Sequence, residues 1–120
     1  MQRRLLFEAS APVDAPLAAV LELVDGEWVV DAMLVNAEAR AYVDVDHRPG
    51  VVGMQGHWWY RGEISAGPDG DRAVLTYRVF NIARRAAWAV PMANRFFIGY
   101  RKTVADTVTS LARAAEAHLG

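Results

Sequence analysis

The last quarter of the chain carries an unbroken apolar stripe at helical spacing, and this stripe limits the possible folds more than any other feature. From Phe97 to Leu119 apolar residues recur every three or four positions, as on one face of an amphipathic helix. A helix over Met92–Leu119 would be about 40 Å long. Such an element must bury its stripe against another large surface. The stripe consists of Phe97, Tyr100, Val104, Val108, Leu111, Ala115 and Leu119.

The earlier part of the chain alternates apolar and polar residues, which is typical of strands with one buried face. The strongest turn signal, Gly67–Asp71, lies between two such runs and therefore predicts a hairpin. A second turn is predicted at Arg48-Pro49-Gly50. The predicted strands are Arg3–Ala11, which Pro12 ends, Glu38–Asp46, Val51–Ser65 with a bend at Gly53 and Gly56, and Ala73–Ile82.

One amphipathic helix is predicted near the N-terminus. In Leu17–Val24 the apolar residues lie three and four positions apart. Asp14 is the predicted N-cap, because its carboxylate can accept a backbone N–H of the first turn. The next apolar run, Trp28–Val35, is compatible with a helix or a strand, since short apolar runs do not distinguish the two.

These elements predict an α+β protein with one domain over residues 1–120, in which a curved antiparallel sheet wraps around the C-terminal helix. An antiparallel sheet with one apolar face must cover that face. The C-terminal helix is the predicted element long enough to do so. A strongly curved sheet cannot touch a straight helix along its whole length, so we expect an apolar cavity between them. Bends at Gly53 and Gly56 favour this curvature.

Large aromatic residues are the candidates for lining this cavity. Aromatic walls with a few polar groups are typical of small-molecule pockets. The alternative is that these residues fill the core, which is the commoner role of any single aromatic side chain. The candidate ligand-binding residues are Trp58, Tyr60, Phe80, Phe97 and Tyr100.

Arg78 is the candidate polar anchor for a ligand. The turn at Gly67–Asp71 predicts a register in which Tyr60 lies opposite Arg78 and Trp58 lies opposite Phe80. In this register Arg78 would lie among aromatic rings and could pair with a ligand carboxylate or enolate. The alternative is that Arg78 points outward, because the opposite face of its strand is equally apolar.

The opening segment carries a resemblance to a known family. Residues 7–16, FEASAPVDAP, followed by the helical run LAAVLELV at residues 17–24, look like the start of the START-like superfamily (SRPBCC, polyketide cyclase/dehydrase and lipid-transport branch). The long closing helix is similar to the one that ends that family's fold. The resemblance implies a helix-grip fold with a hydrophobic ligand cavity and no invariant catalytic motif. The predicted strands are fewer than is usual for the family, so the sheet is either trimmed or continued within Gly26–Ala37.

Several classes of site are not expected. A net charge of −1 gives no basic surplus for nucleic acid. Asp44, Asp46 and His47 have metal-ligating chemistry, but alternation along a strand turns His47 away from the two carboxylates. No Gly-x-Ser-x-Gly elbow or phosphate-binding glycine loop is present. We therefore expect no metal, no cofactor and no nucleic-acid partner, and the sequence identifies no catalytic residue.

The N-terminus also predicts a location. Glu8 and Asp14 interrupt its apolar residues before the core of a signal peptide could form. No apolar run approaches the ~18 residues that a membrane span needs. We therefore expect a cytoplasmic protein with no membrane span.

The expected function is the binding of a hydrophobic small molecule, of lipid, polyketide or isoprenoid type, in the cavity between sheet and helix. One alternative is a polyketide cyclase- or dehydratase-like enzyme that uses the same cavity, which would need convergent polar groups with shifted pKa values. Another is an interaction protein whose cavity is collapsed. The sequence leaves the ligand and the oligomeric state open.

Overall fold

The computed structural model describes residues 3–35, 40–56, 59–83 and 100–120. A strand and two short helices come first, four consecutive strands follow, and the long helix comes last. In chain order, the elements are β1 (Arg4–Val13), α1 (Leu17–Asp25), α2 (Trp28–Met33), β2 (Asp44–Arg48), β3 (Val51–Gly56), β4 (Tyr60–Asp69), β5 (Arg72–Asn81) and α3 (Tyr100–Leu119).

The five strands form one antiparallel sheet in the order β1-β5-β4-β3-β2. The last four are joined in sequence, and β1 adds to the free edge of β5. Gly50 and Gly70 lie in the turns of two hairpins with φ of 77° and 61°, a backbone conformation that glycine adopts without steric cost. The predicted turn at Arg48–Gly50 is confirmed, and the α+β class with an antiparallel sheet is also as predicted.

The helices cover one face of the sheet, which we call the inner face. Along β5 the residues alternate between buried and half-buried, and the buried ones face the helices. Helix α3 packs on β1 and β5, whereas α1 packs on β3, β4 and β5. The core consists of apolar side chains from the sheet and all three helices. The most deeply buried large ones are Met54, Ile64, Leu75, Val13, Val20, Val24, Val29, Val30, Val52, Val79 and Val104.

Helix α3 buries the middle of the predicted apolar stripe, whereas Leu119 at its end is 36% exposed. Val104, Val108, Leu111 and Ala115 are all buried, as an amphipathic helix on a sheet requires. The helix is confirmed over Tyr100–Leu119, and the part predicted for residues 92–99 lies outside the described residues. No helix in the described ranges is both long enough and apolar enough to cross a membrane.

The first strand is longer than predicted. It continues through Pro12, which lies opposite Val74, and ends at Val13. Because β1 is an edge strand, a residue without an N–H is tolerated there. The predicted cap at Asp14 is wrong, since the N-cap residue of α1 is Pro16 and has no side-chain capping bond. The N–H of Asp14 instead donates to the Glu116 carboxylate at 2.7 Å, which ties β1 to α3.

The strand predicted at Glu38–Asp46 is wrong in its first part. Residues 40 and 41 are helical and the strand begins only at Asp44, while residues 36–39 lie outside the description. The Arg40 guanidinium donates a hydrogen bond of 2.6 Å to Asp31 of α2. Its charge is therefore paired with a helix residue and does not lie on a sheet surface. Alternation of charged and apolar residues alone does not reveal such a partner.

The run Val51–Ser65 is two strands and not one bent strand. β3 ends at Gly56 and β4 begins at Tyr60, and the two pair with each other as a hairpin. The ambiguous run Trp28–Val35 contains the helix α2. It therefore contributes no further strand in its described part.

The predicted register of the β4–β5 hairpin is also wrong. β4 extends to Asp69 and the turn is only Gly70-Asp71, so Tyr60 lies opposite Asn81 and Arg78 lies opposite Glu63. Because side chains alternate with a period of two, a shift by an odd number of residues changes which side chains share a face. Arg78 points outward, as the alternative interpretation held.

The burial of α3 gives a direct test of the fold. We expect Leu111→Asp to lower the free energy of unfolding by at least about 3 kcal/mol, because it removes a buried side chain and introduces an unpaired charge. Thr109→Asp, at an exposed position of the same helix, is the matched control. Chemical denaturation of both variants measures the difference. Similar unfolding free energies for the two variants would contradict the packing of α3.

Candidate functional site

Two tyrosines from neighbouring strands meet on the inner face. Tyr60 is the first residue of β4, and Tyr77 lies in the middle of β5, opposite Ile64. The Tyr60 ring extends along its own strand, and its hydroxyl oxygen lies 2.6 Å from that of Tyr77. Either oxygen can donate this hydrogen bond. We call these two residues the tyrosine pair.

Gly62 makes room for the tyrosine pair. A Cβ atom at this position would lie 2.9 Å from Cζ of Tyr60 and 3.1 Å from Cε1 of Tyr77, and closer still to the Tyr60 hydroxyl. Side chains at positions 60 and 62 share a face of β4, so any residue larger than glycine would occupy the space that the Tyr60 ring fills. The pair therefore depends on a glycine two residues after Tyr60.

Three further aromatic rings, those of Trp59, Phe7 and Tyr100, lie near the pair. Trp59 packs edge-on against Tyr60, with ring centroids 5.7 Å apart. Phe7 of β1 and Tyr100 of α3 pack together with centroids 5.1 Å apart. Tyr100 is close enough to contribute to the electrostatic surroundings of Tyr60. The two hydroxyls are therefore polar groups within a largely aromatic environment.

The phenols of this site keep their protons. Burial raises the pKa of Tyr60, Tyr77 and Tyr100 above the usual value for tyrosine, and the neighbouring Tyr77 raises that of Tyr60 further. At neutral pH these groups are hydrogen-bond donors and acceptors, not bases or nucleophiles. A single hydrogen bond between two hydroxyls uses one of their two O–H protons. The pair therefore retains the chemistry to bind a carbonyl or hydroxyl oxygen.

The residues predicted to bind a ligand do not lie on one face. Tyr60 and Tyr100 belong to the inner aromatic group, whereas Arg78 and Phe80 lie on the outer face of β5. Trp58 and Phe97 lie outside the described residues. The predicted pairing of Tyr60 with Arg78 is wrong, because the register places Asn81 opposite Tyr60.

On the outer face, Arg78 and Phe80 have partners within the protein. The Arg78 guanidinium donates to Glu8 of the neighbouring strand and, at 3.4 Å, to Ser65. The Arg3 guanidinium lies over the Phe80 ring, 4.4 Å from its centroid. These contacts give both residues a role in the surface of the sheet.

The centre of the outer face is an ion-pair network around Glu63. This carboxylate is only 6% exposed and accepts hydrogen bonds from Arg3, Arg48 and Arg61. Arg61 also binds Asp46 with two bonds of 2.8 Å and thereby lowers the pKa of that carboxyl group. Because the charges are mutually satisfied, the network has a structural role.

Asp46 is thus paired with Arg61. In the ranges that the structure describes, no three metal-ligating side chains come together.

A separate groove lies between α2 and α3, with a volume of about 460 Å3. Met33 and Leu111 supply apolar walls, and Thr103, Thr107 and Asp106 supply polar ones. Thr107 donates to the backbone oxygen of Thr103, and Asp106 is bound by Lys102. Thr107 and Asp106 are therefore engaged within α3, unlike the second hydroxyl proton of the tyrosine pair.

Sequence reasoning missed Tyr77 as a site residue. Alternation within a strand places Tyr60 on the face of Ile64 and Tyr77 on the face of Leu75, but the wrong register separated the two tyrosines. The glycine two positions after Tyr60 was the available signal, because a glycine on a buried strand face often marks a close approach.

These observations define an α+β protein with a five-stranded antiparallel sheet, helices on its inner face and an aromatic site with a tyrosine pair. Comparisons with protein-family models, curated proteins and solved structures found no match to the chain. The likeness of residues 7–24 to the START-like superfamily stays a prediction.

The role of Gly62 can be tested against a second glycine of the same strand. We expect Gly62→Ala to displace the Tyr60 ring and lower the free energy of unfolding by roughly 1 kcal/mol or more, through loss of the hydroxyl bond and of packing. Gly67→Ala is the control, because nothing lies within 4 Å of a Cβ there. Both changes restrict the unfolded chain equally, so denaturation curves isolate the steric effect. Equal stability of the two variants would argue against the close packing of Tyr60.

The raised phenol pKa values predict alkaline destabilisation. An unfolded tyrosine releases its proton near pH 10, whereas folded Tyr60 retains it, so the stabilising contribution is complete below pH ~10 and is lost as the pH rises above it. The slope approaches about 1.4 kcal/mol per pH unit for one such group. Urea unfolding between pH 8 and 11 measures it. Tyr60→Phe should reduce the slope, and Tyr42→Phe, at a residue 78% exposed, should not. An unchanged slope in Tyr60→Phe would exclude this origin.

Proposed function

We propose that the protein binds a hydrophobic small molecule, of lipid, polyketide or isoprenoid type, between the inner face of the sheet and α3. The observation that carries this proposal is the tyrosine pair, a hydroxyl pair with aromatic rings near it. A few placed polar groups within apolar walls are what a pocket needs to orient an apolar ligand with one oxygen-bearing end.

The position of the pair supports this proposal. Tyr60 and Tyr77 lie on the face that α1 and α3 cover, near the start of the described part of α3. Tyr100 brings that helix to the same aromatic group. The sheet, the helix and the hydroxyls therefore meet at one end of the inner face.

The resemblance of the opening segment supports the same function. Residues 7–24 resemble the start of the START-like superfamily, whose helix-grip fold encloses a hydrophobic ligand. The sheet and α3 supply the two principal elements that such a fold requires. We propose this fold for the chain, with the tyrosine pair in place of Arg78 as the polar anchor.

A cyclase- or dehydratase-like activity in the same place has weaker support. Such chemistry needs a group that takes up a proton near neutral pH, and the three phenols have raised pKa values. They could polarise a carbonyl by donating a hydrogen bond, but they could not act as the base. Binding is therefore the function that the site supports best.

Direct binding tests this proposal. We expect the neutral dye Nile red to bind with increased fluorescence, and methyl dodecanoate to displace it. Replacing both hydroxyls, by Tyr60→Phe with Tyr77→Phe, should weaken the ester by roughly threefold to tenfold through loss of one hydrogen bond. Because both partners are removed together, no buried hydroxyl is left unpaired and the fold should persist.

Arg78→Leu is the control for this experiment, since it removes a polar side chain from the outer face. It should leave the affinity for the ester unchanged. Loss of binding in Arg78→Leu with the fold intact would restore Arg78 as the anchor. If the wild-type protein binds neither dye nor ester, the proposed function is wrong.

A further inference from the structure

Two arginines differ from the others in their charge environment. Every other arginine that the structure describes has a carboxylate within ion-pair distance. Within the described ranges, Arg4 and Arg101 have none. Both side chains are exposed. Their positive charges therefore face solvent without a carboxylate partner from the described part of the chain.

Both residues lie at the end of the sheet that holds the tyrosine pair. Arg4 is opposite Asn81, and Asn81 is opposite Tyr60 on its other side, so the three residues form one row across the strands. The Arg101 guanidinium carbon lies 5.7 Å from the centroid of the Phe7 ring. Phe7 in turn packs against Tyr100 of the aromatic group.

The two arginines and the neighbouring aromatic group together favour one class of ligand. Two guanidinium groups without counter-charges favour an anion, and their planar geometry suits the paired oxygens of a carboxylate or a phosphate. The aromatic group beside them suits a hydrocarbon chain. A molecule with both parts would contact the rings with its apolar portion and the arginines with its charged end.

We infer that the ligand is an anionic amphiphile whose carboxylate or phosphate is held by Arg4 and Arg101 while its apolar part lies against the aromatic group. This inference rests on the proposed function and adds the charge of the ligand to it. It also replaces the predicted role of Arg78, whose guanidinium is already paired with Glu8.

Matched amphiphiles test the inference. Dodecanoate, dodecyl phosphate and methyl dodecanoate share a chain of similar length and differ in charge. We expect the two anions to displace Nile red at roughly tenfold lower concentration than the ester at pH 8 and low salt, since each exposed ion pair contributes a factor of up to about five. Added salt should reduce this preference. The ratio between the two anions identifies which headgroup the arginines favour.

Substitutions test whether Arg4 and Arg101 cause the preference for the anions over the ester. Arg4→Gln with Arg101→Gln should reduce the advantage of the anions over the ester to less than about twofold, by weakening the anions more than the ester. Arg113→Gln is the control, because Arg113 is paired with Glu116 near the far end of α3.

The outcomes separate the inference from the function on which it rests. Equal binding of all three molecules would overturn the anionic ligand and leave hydrophobic binding intact. Preference for the anions that survives the double variant would overturn the assignment to Arg4 and Arg101. If none of the three displaces the dye, or the dye itself does not bind, the proposed function fails and the inference fails with it.

Discussion

The pairing of β4 with β5 is the constraint on which the rest of the structure depends. With Tyr60 opposite Asn81, every buried residue of β5 faces the helices and every half-buried one faces outward. The same register brings Tyr77 within reach of Tyr60 and places Glu63 beside Arg78. A slip of one residue would exchange the two faces of one strand relative to the other, and would bury charges under α1 and α3.

Glycines allow long side chains to lie flat on both faces of the sheet. Gly62 leaves space for the Tyr60 ring on the inner face, and Gly53 leaves space on the outer face, where a Cβ would lie 2.8 Å from the Arg61 guanidinium carbon. Neither glycine has a positive φ. Their role is therefore space above the strand and not backbone freedom, and in each case a polar group reaches a partner that it could not otherwise approach.

Structural features whose apolar residues recur at one regular spacing could be predicted from the sequence. The stripe of α3, the helix at Leu17–Asp25 and the alternation within β4 and β5 all depend on residues near in sequence. The register, the break between β3 and β4, and the helical backbone of residues 40 and 41 depend on partners distant in sequence. For the same reason Tyr60 and Tyr100 could be predicted as candidate site residues but Tyr77 could not, because its role depends on which residue of β4 lies opposite which residue of β5.

Arg61 connects strands that are not neighbours. It begins on β4, passes over Gly53 of β3 and binds Asp46 of β2 with two bonds, while its Nε atom binds Glu63. β2 is an edge strand of five residues, and a short edge strand is ordinarily the first part of a sheet to fray. Opening of β2 would have to break these two bonds to Asp46, so the guanidinium opposes fraying of this edge.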